Sequence, residues 1–204
     1  MAEKYEEIAV VVDQSSLGNG IYDLTLKTDK IAKAAKAGQF VSVYSNDKSK
    51  LLPRPISLCG INRDDDTIRL VYRVTGEGTG TEEFSKLVRG DKVRILGPLG
   101  NGFTVQPGKK AFLIGGGIGV PPMLQLAKDI NAGIVQTPGE EKNSEQAAME
   151  GEEIKTAVCD MNIVMGYRDE NTFLLDEFKE QAAYRGRQCR HKGQCHRCNK
   201  GECS

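Results

Sequence analysis

AFLIGGGIGVPPMLQLAKDI, residues 111–130, decides how the chain is built. Four residues of strand character lead into Gly115-Gly116-Gly117-Ile118-Gly119, and Val120-Pro121-Pro122 opens a run with helical spacing. The order is buried strand, glycine turn, helix. A triple glycine permits a tight turn with close backbone approach, and proline suits the first turn of a helix. The pattern is not the G-x-G-x-x-G dinucleotide fingerprint, and no acidic residue stands about 20 positions on in a clear second-strand context. Alone, the turn reads equally well as a nucleotide site or as a crowded corner with no ligand. A second unit follows, with MNIVMGYRDE (161–170) as strand and 172–183 as helix. Alternating β and α elements predict a parallel sheet with crossover helices.

Upstream the period is different. Residues 5–105 read as short strands divided by Gly, Asn, Asp and Pro: YEEIAVVVDQ, GIYDLTLKTD, GQFVSVYSN, RPISLCGIN, DTIRLVYRVTG and DKVRILGPLG. Their close spacing predicts an antiparallel barrel, with 62–66 as a polar turn. Residues 81–88 are the single helical signal here, with Thr81 as N-cap and Phe84, Leu87 and Val88 on one face. The expected fold class is therefore a two-domain β plus α/β chain: a barrel over 1–105, then an incomplete parallel α/β domain over 106–184. Residues 132–156 hold six Glu and no aromatic residue, and read as a solvated insertion in that second domain.

Composition excludes several functions. Lys+Arg and Asp+Glu are equal at 28 each, so no net field draws the chain to nucleic acid or a membrane. Mean hydropathy is −0.42, and no apolar run approaches the ~20 residues that span a bilayer. MAEKYEEIAVVV lacks the basic-then-apolar pattern of a secretion signal, so a cytoplasmic location is expected. Cys59 and Cys159 read as small core residues, and no disulfide is expected in that compartment.

Three segments of the barrel carry chemistry as a set. Arg54-Pro55-Ile56-Ser57 sits within one strand, Val71-Tyr72-Arg73 on the next, and Gly76-Glu77-Gly78-Thr79 before the short helix. A glycine-rich turn at a helix start offers N–H groups to a pyrophosphate, and an arginine adds a bidentate charged contact. Ser57 places a hydroxyl three residues along from that cation. LGPLGNGF (96–103) then closes the barrel. This ordered set resembles the flavin-binding domain of the ferredoxin-reductase superfamily, whose barrel carries an Arg-x-x-Ser motif. Pro-Ile between Arg54 and Ser57, with VYR and GxGT downstream, is similar to the electron-transfer subunit of NAD-linked dihydroorotate dehydrogenase. The resemblance runs from about residue 5 to about residue 183. It implies that Arg54, Pro55, Ile56, Ser57, Val71, Tyr72, Arg73, Gly78 and Thr79 bind FAD. It also matches Gly115, Gly116, Gly117, Ile118, Gly119 and Pro122 to the segment that begins the family's NAD(P)H domain.

The last twenty residues are of another kind. Cys189, Cys195, Cys198 and Cys203 are spaced C-x5-C-x2-C-x4-C, with His191 and His196 interleaved, six Lys or Arg, and no Leu, Ile, Val, Phe, Met or Trp. Short thiol spacing invites a zinc or iron–sulfur reading. The resembled family does carry a 2Fe-2S cluster on four C-terminal cysteines. Here the first spacing is off by one, the fourth cysteine comes too early, and apolar shielding is missing, so no metal ligands are expected. One permissible coding of 185–204, read one nucleotide later, spells EDGSVGTRDSVIDAIRENA, which resembles what the family has after its second helix. The tail is therefore read as out-of-frame and disordered.

What the resemblance implies is a subunit that takes a hydride from NADH onto FAD. It releases the electrons singly through the 2Fe-2S cluster of the full-length family to an FMN-containing catalytic partner, in a heterotetramer that serves pyrimidine synthesis. No catalytic acid or base is needed for that role, and none is expected. The chain would bind FAD, with NADH binding weakened and the relay broken. The rivals are another ferredoxin-reductase-type NAD(P)H oxidoreductase, or a metal-binding tail protein on an inert barrel.

Overall fold

β1 (Tyr5–Gly18) and β2 (Ile21–Lys27) form a hairpin about Asn19-Gly20. Both turn residues have positive φ, 51° and 71°, the conformation that suits a tight turn to the right-handed twist of its strands. β1 is long enough to serve two neighbours. Its second half pairs β2, and its first half pairs β6 (Lys92–Leu99), with a bulge between Val11 and Asp13 where the strand bends from one to the other. With β3 (Phe40–Val43), β4 (Arg54–Asn62) and β5 (Thr67–Arg73), the six strands close as β1-β2-β5-β4-β3-β6, every pairing antiparallel. Alternation sends Leu24, Leu26, Val41, Val43, Leu58, Ile68, Leu70 and Ile95 into the barrel core. In this computed structural model the described residues are 3–47, 49–106, 109–134, 161–183 and 189–191.

The period change at residue 111 produces the expected second unit. β7 (Ala111–Gly116) enters a 3-10 turn over Gly117–Gly119, and α3 (Pro121–Ala132) follows with proline in its first turn. Gly133, at φ 75°, ends α3 in the left-handed conformation, and the Ile134 N–H returns to the Asp129 carbonyl at 2.9 Å. β8 (Met161–Gly166) lies parallel to β7, and α4 (Leu175–Ala183) follows it. Leu113, Met161, Ile163 and Met165 pack with Leu124, Ile130 and Phe178, so one face of the sheet is sealed by helices. Phe112, Ile114 and Val164, on the other face, are exposed.

The barrel and the α/β unit share a core rather than a linker. Ile21, Cys59 and Val71, on the outside of the barrel, belong to the same buried cluster as Val120, Leu124 and Phe178. β5 thus has two inner faces: Ile68, Leu70 and Tyr72 toward the barrel axis, Val71 toward the α/β unit. None of its residues is exposed.

Several expectations are corrected. The short helix, α2, runs Gly80–Phe84, and its N-cap is Thr79, whose side chain accepts from the Glu82 N–H. Thr81 is instead buried, with its hydroxyl accepting from the Thr75 N–H at 3.1 Å. Val88 is exposed and belongs to no helical face. A second barrel helix, α1 (Ile31–Ala34), was not expected; Glu7 on β1 accepts the N–H groups of Asp29, Lys30 and Ile31 and so caps it from outside. Ala132 closes α3 rather than opening the insertion, whose residues 135–156 lie outside those described, as does Cys159. Of the tail, Cys189–His191 forms β9, parallel to β8; Cys195, His196, Cys198 and Cys203 lie outside the described residues. Among the described residues, no helix is long and apolar enough to cross a membrane.

Candidate functional site

The ladder between β4 and β5 runs from Asn62↔Thr67 to Leu58↔Leu70 and goes no further. Beyond it, β4 keeps company with β3 alone, from Phe40↔Ser57 to Val43↔Arg54. The barrel wall therefore parts where the two motif segments lie, Arg54-Pro55-Ile56-Ser57 on one side and Val71-Tyr72-Arg73 on the other. Cys59, the extra residue of a bulge between Leu58 and Gly60, bends β4 at that place.

Arg54 lies across the glycine turn before α2. A Cβ added at Gly80 would stand 3.3 Å from Arg54 Nε and 3.4 Å from its Cγ, so only glycine admits this cation without displacement. The turn is rigid. The Thr79 hydroxyl donates to the Gly76 carbonyl at 2.7 Å, and the Glu82 carboxylate accepts from the Gly78 N–H at 2.6 Å and from Lys86 at 2.9 Å. The Lys86 contact, and then the Gly78 N–H, hold the Glu82 carboxyl below its ordinary range. Glu83 ties α2 to the loop leading into Arg54: it accepts from the Asn46 N–H at 2.7 Å, from the Ser45 hydroxyl, and from Lys50 at 3.4 Å. Burial pushes the Glu83 carboxyl up, but these donors outweigh it and the net shift is down. α2 is a single turn, so its dipole is small, and attraction for an anion rests on the two arginines.

Those arginines supply the test of fit. Arg54 Nε and Arg73 Nε are buried with no hydrogen-bond partner. A buried guanidinium N–H left unpaired costs the desolvation of a charged donor, on the order of 1–3 kcal/mol or more. Unpaired buried donors of this kind, one of them Arg54 beside Gly80, suit a ligand that brings several anionic oxygens, as a dinucleotide diphosphate does.

The other expected residues divide into exposed and internal. Pro55 and Ser57 are exposed, with Ser57 free to offer its hydroxyl outward. Ile56 and Tyr72 are buried in the barrel core, and Val71 in the shared core. The Tyr72 ring stacks on Tyr22 at 5.8 Å and meets Phe84 edge-on, while its hydroxyl donates to Gln14 Oε1 at 3.0 Å. Burial, with the Tyr22 charge behind it, pushes the Tyr72 hydroxyl pKa up, so it stays a neutral donor. The side chains of Ile56, Val71 and Tyr72 are thus committed to the cores. Gly80, with no role in the sequence reading, is the contact that seats Arg54; the repeat Gly78-Thr79-Gly80-Thr81 was its signal.

The glycine turn of the α/β unit packs beside β5, which brings the second expected site to the first. Its glycines have two different reasons. At Gly115 a Cβ would lie 2.9 Å from Val120 Cα and 3.0 Å from the Gly119 carbonyl, both backbone, so packing alone demands glycine. At Gly116 and Gly119 a Cβ would meet nothing within 4 Å. Packing gives no reason for glycine there. Ile118 is exposed and Pro122 half-buried at the same corner. A cavity of about 300 Å³ is lined by residues of 103–106, β7 and α3, and by none of the glycines of this turn. Among the described residues, no three of His, Cys, Asp or Glu stand together as a metal site.

Residues 9–103 match the family described as the oxidoreductase FAD-binding domain. The chain is 42% identical over 132 residues to the electron transfer subunit of dihydroorotate dehydrogenase B (NAD(+)) from Enterococcus faecalis, covering 63% of this chain and 49% of that one. The subunit from Streptococcus mutans is 45% identical over 128 residues, covering 61% and 48%. The chain thus spans about half the length of these relatives. Among solved structures, an NADH-dependent reduced ferredoxin-NADP oxidoreductase superposes with a TM-score of 0.68 at 22% identity, over 93% of this chain and 58% of that one. The cytochrome P450 reductase of Amycolatopsis gives 0.69 at 23%, over 94% and 52%, which shows the fold. Residues 9–103 thus match the oxidoreductase FAD-binding domain family, and the chain is similar there to the electron transfer subunits of dihydroorotate dehydrogenase B.

Proposed function

We propose that this chain is the FAD-binding module of a flavin-dependent electron-transfer subunit, weakened in its own NADH binding, of the kind that passes reducing equivalents from NADH to a dihydroorotate-oxidising partner. The observation that carries the reading is the pair of buried, unpartnered guanidinium nitrogens, Arg54 Nε and Arg73 Nε, at the gap between β4 and β5. Arg54, seated on Gly80, and Arg73, at the end of β5, neutralise the diphosphate of FAD. Gly78 and Thr79 shape the turn that receives it, and the main chain at Pro55, Ile56, Val71 and Tyr72 lines the gap. Ser57 offers the one exposed hydroxyl of its motif to the ring system. When bound, FAD supplies the capacity to accept two electrons together and release them singly. NADH binds at Gly115, Gly116, Gly117, Ile118, Gly119 and Pro122, where open space beside Gly116 and Gly119 leaves the main chain accessible. The family resemblance implies that a 2Fe-2S cluster of the full-length family leads on to an FMN-bearing catalytic subunit in a heterotetramer, and we propose the same partner here.

An absorbance spectrum of the purified chain, before and after anaerobic addition of NADH, tests the reading. Flavin bands near ~450 nm are expected. Arg54→Ala is expected to weaken FAD binding about 10- to 100-fold, since it removes a charge-assisted hydrogen bond of a desolvated pair. A colourless protein that takes up no added FAD would refute the proposal.

A further inference from the structure

Arg69 occupies the seam between the barrel and the α/β unit, and none of the chemistry above uses it. It stands on β5 with its side chain on the outer face, where alternation also puts Val71 and Arg73. Its guanidinium is fully committed in two directions. Within the barrel, Nε donates to both carboxylate oxygens of Asp23 on β2, at 2.9 Å each, and Nη2 donates to Oδ2 at 2.5 Å. Across the seam, Nη1 donates to Glu177 Oε2 at 2.7 Å and Nη2 to Oε1 at 2.9 Å, gripping α4 with a two-pronged fork. Burial pushes the Glu177 carboxyl up, but the Arg69 hydrogen bonds and charge outweigh it and leave the group below its ordinary value.

We infer that Arg69 is a positioning residue: it fixes the angle at which the α/β unit sits on the barrel, and so the approach of the glycine turn at 115–119 to the flavin strand. This rests on the proposed nucleotide sites for its functional half only. Three observations support it. The fork is planar and bidentate on both sides, so it restricts rotation where a single contact would not. Elsewhere along the seam, Ile61 N–H to Gln125 at 2.7 Å, Asn171 to the Leu17 carbonyl at 2.9 Å, and Asn19 to Asp169 at 3.3 Å are each single hydrogen bonds. Finally, Arg69, Val71 and Arg73 form one row. The pin, the apolar seal and the proposed ligand cation follow at every second residue, spanning about 13 Å of strand. Tilting α4 about the pin would move the glycine turn against the Arg73 end of that row.

Glu177→Gln cuts the grip on α4 and leaves the Arg69–Asp23 pair inside the barrel. Hydrogen–deuterium exchange of the chain, with no ligand added, is expected to show the amides of α3 and α4 opening about tenfold more readily, with barrel amides unchanged. Arg69→Lys keeps the charge without the fork and is expected to do the same. Lys179→Met, which removes the exposed pair with Asp176 on the same helix, is expected to change nothing. In the FAD-loaded chain, Glu177→Gln is expected to leave flavin affinity intact and slow NADH-driven bleaching about 10- to 100-fold. Unchanged α3 and α4 exchange in both seam variants would overturn the orienting role. Faster exchange with an unchanged bleaching rate would overturn its functional half. If the parent chain binds FAD but NADH leaves it unbleached, the nucleotide-site proposal fails, while the exchange result still decides what Arg69 does.

Discussion

Gly115 and Gly116 are neighbours in a run that looks uniform in sequence, yet they answer to different forces. Gly115 is glycine because the main chain of Val120 and Gly119 stands where a side chain would begin. Gly116 has ordinary extended angles, φ −128° and ψ 132°, and open space. Gly115→Ala is therefore expected to destabilise the fold by about 1–3 kcal/mol, the usual cost of overpacking, read as a lower midpoint in thermal unfolding. Gly116→Ala is expected to leave that midpoint in place and weaken NADH binding, read by titration of the FAD-loaded chain. A result in which both lower the midpoint equally would remove the ligand argument for Gly116. The triple glycine and the Arg54 motif were legible in the chain; which glycine serves packing was not, since that depends on where the backbone returns.

At the scale of elements, α2 shows what a single turn requires. Thr79 and Glu82 stand at the Thr-x-x-Glu spacing of a capping box, although here the carboxylate reaches the Gly78 N–H, one residue before the cap. Thr79→Ala is expected to cost about 1 kcal/mol of stability and to weaken FAD binding with it, because the same hydroxyl closes the turn onto the Gly76 carbonyl. Urea unfolding and a flavin titration on the same preparations check both halves. That spacing was present in the sequence, and placing the cap at Thr81 missed it. α1 was likewise readable from the Ala and Lys of IAKAAKA, a run that favours helix. The six strands were legible because each alternates within a few residues. The Glu7 cap on α1 was not, since it reaches across 22 to 24 positions of chain.

For the whole molecule, charge holds together what sequence keeps far apart. Glu177 meets Arg69 over 108 positions, and no local pattern announces such a pair. Its carboxyl, like that of Glu83, titrates below the ordinary 4.5 when folded. A depressed folded value contributes stability that is present above the unfolded value and lost as pH falls through the folded one. Stability of the chain is therefore expected to be level toward neutral pH and to decline below about 4.5. Glu177→Gln is expected to flatten that acid limb without altering the neutral plateau's pH dependence. Denaturant midpoints taken across the range read both; an acid limb of undiminished slope in the variant would rule out a Glu177 contribution.

The doubly buried strand also bears on how this protein is able to change over generations. β1 carries a row of exposed residues, where substitutions meet only water. β5 carries none. A change on one side disturbs the barrel, and a change on the other disturbs the neighbouring unit, so a tolerated variant there has to satisfy two environments at once. Mutational scanning of the chain should find its narrowest alphabet along β5, with the tolerance of β1 alternating residue by residue.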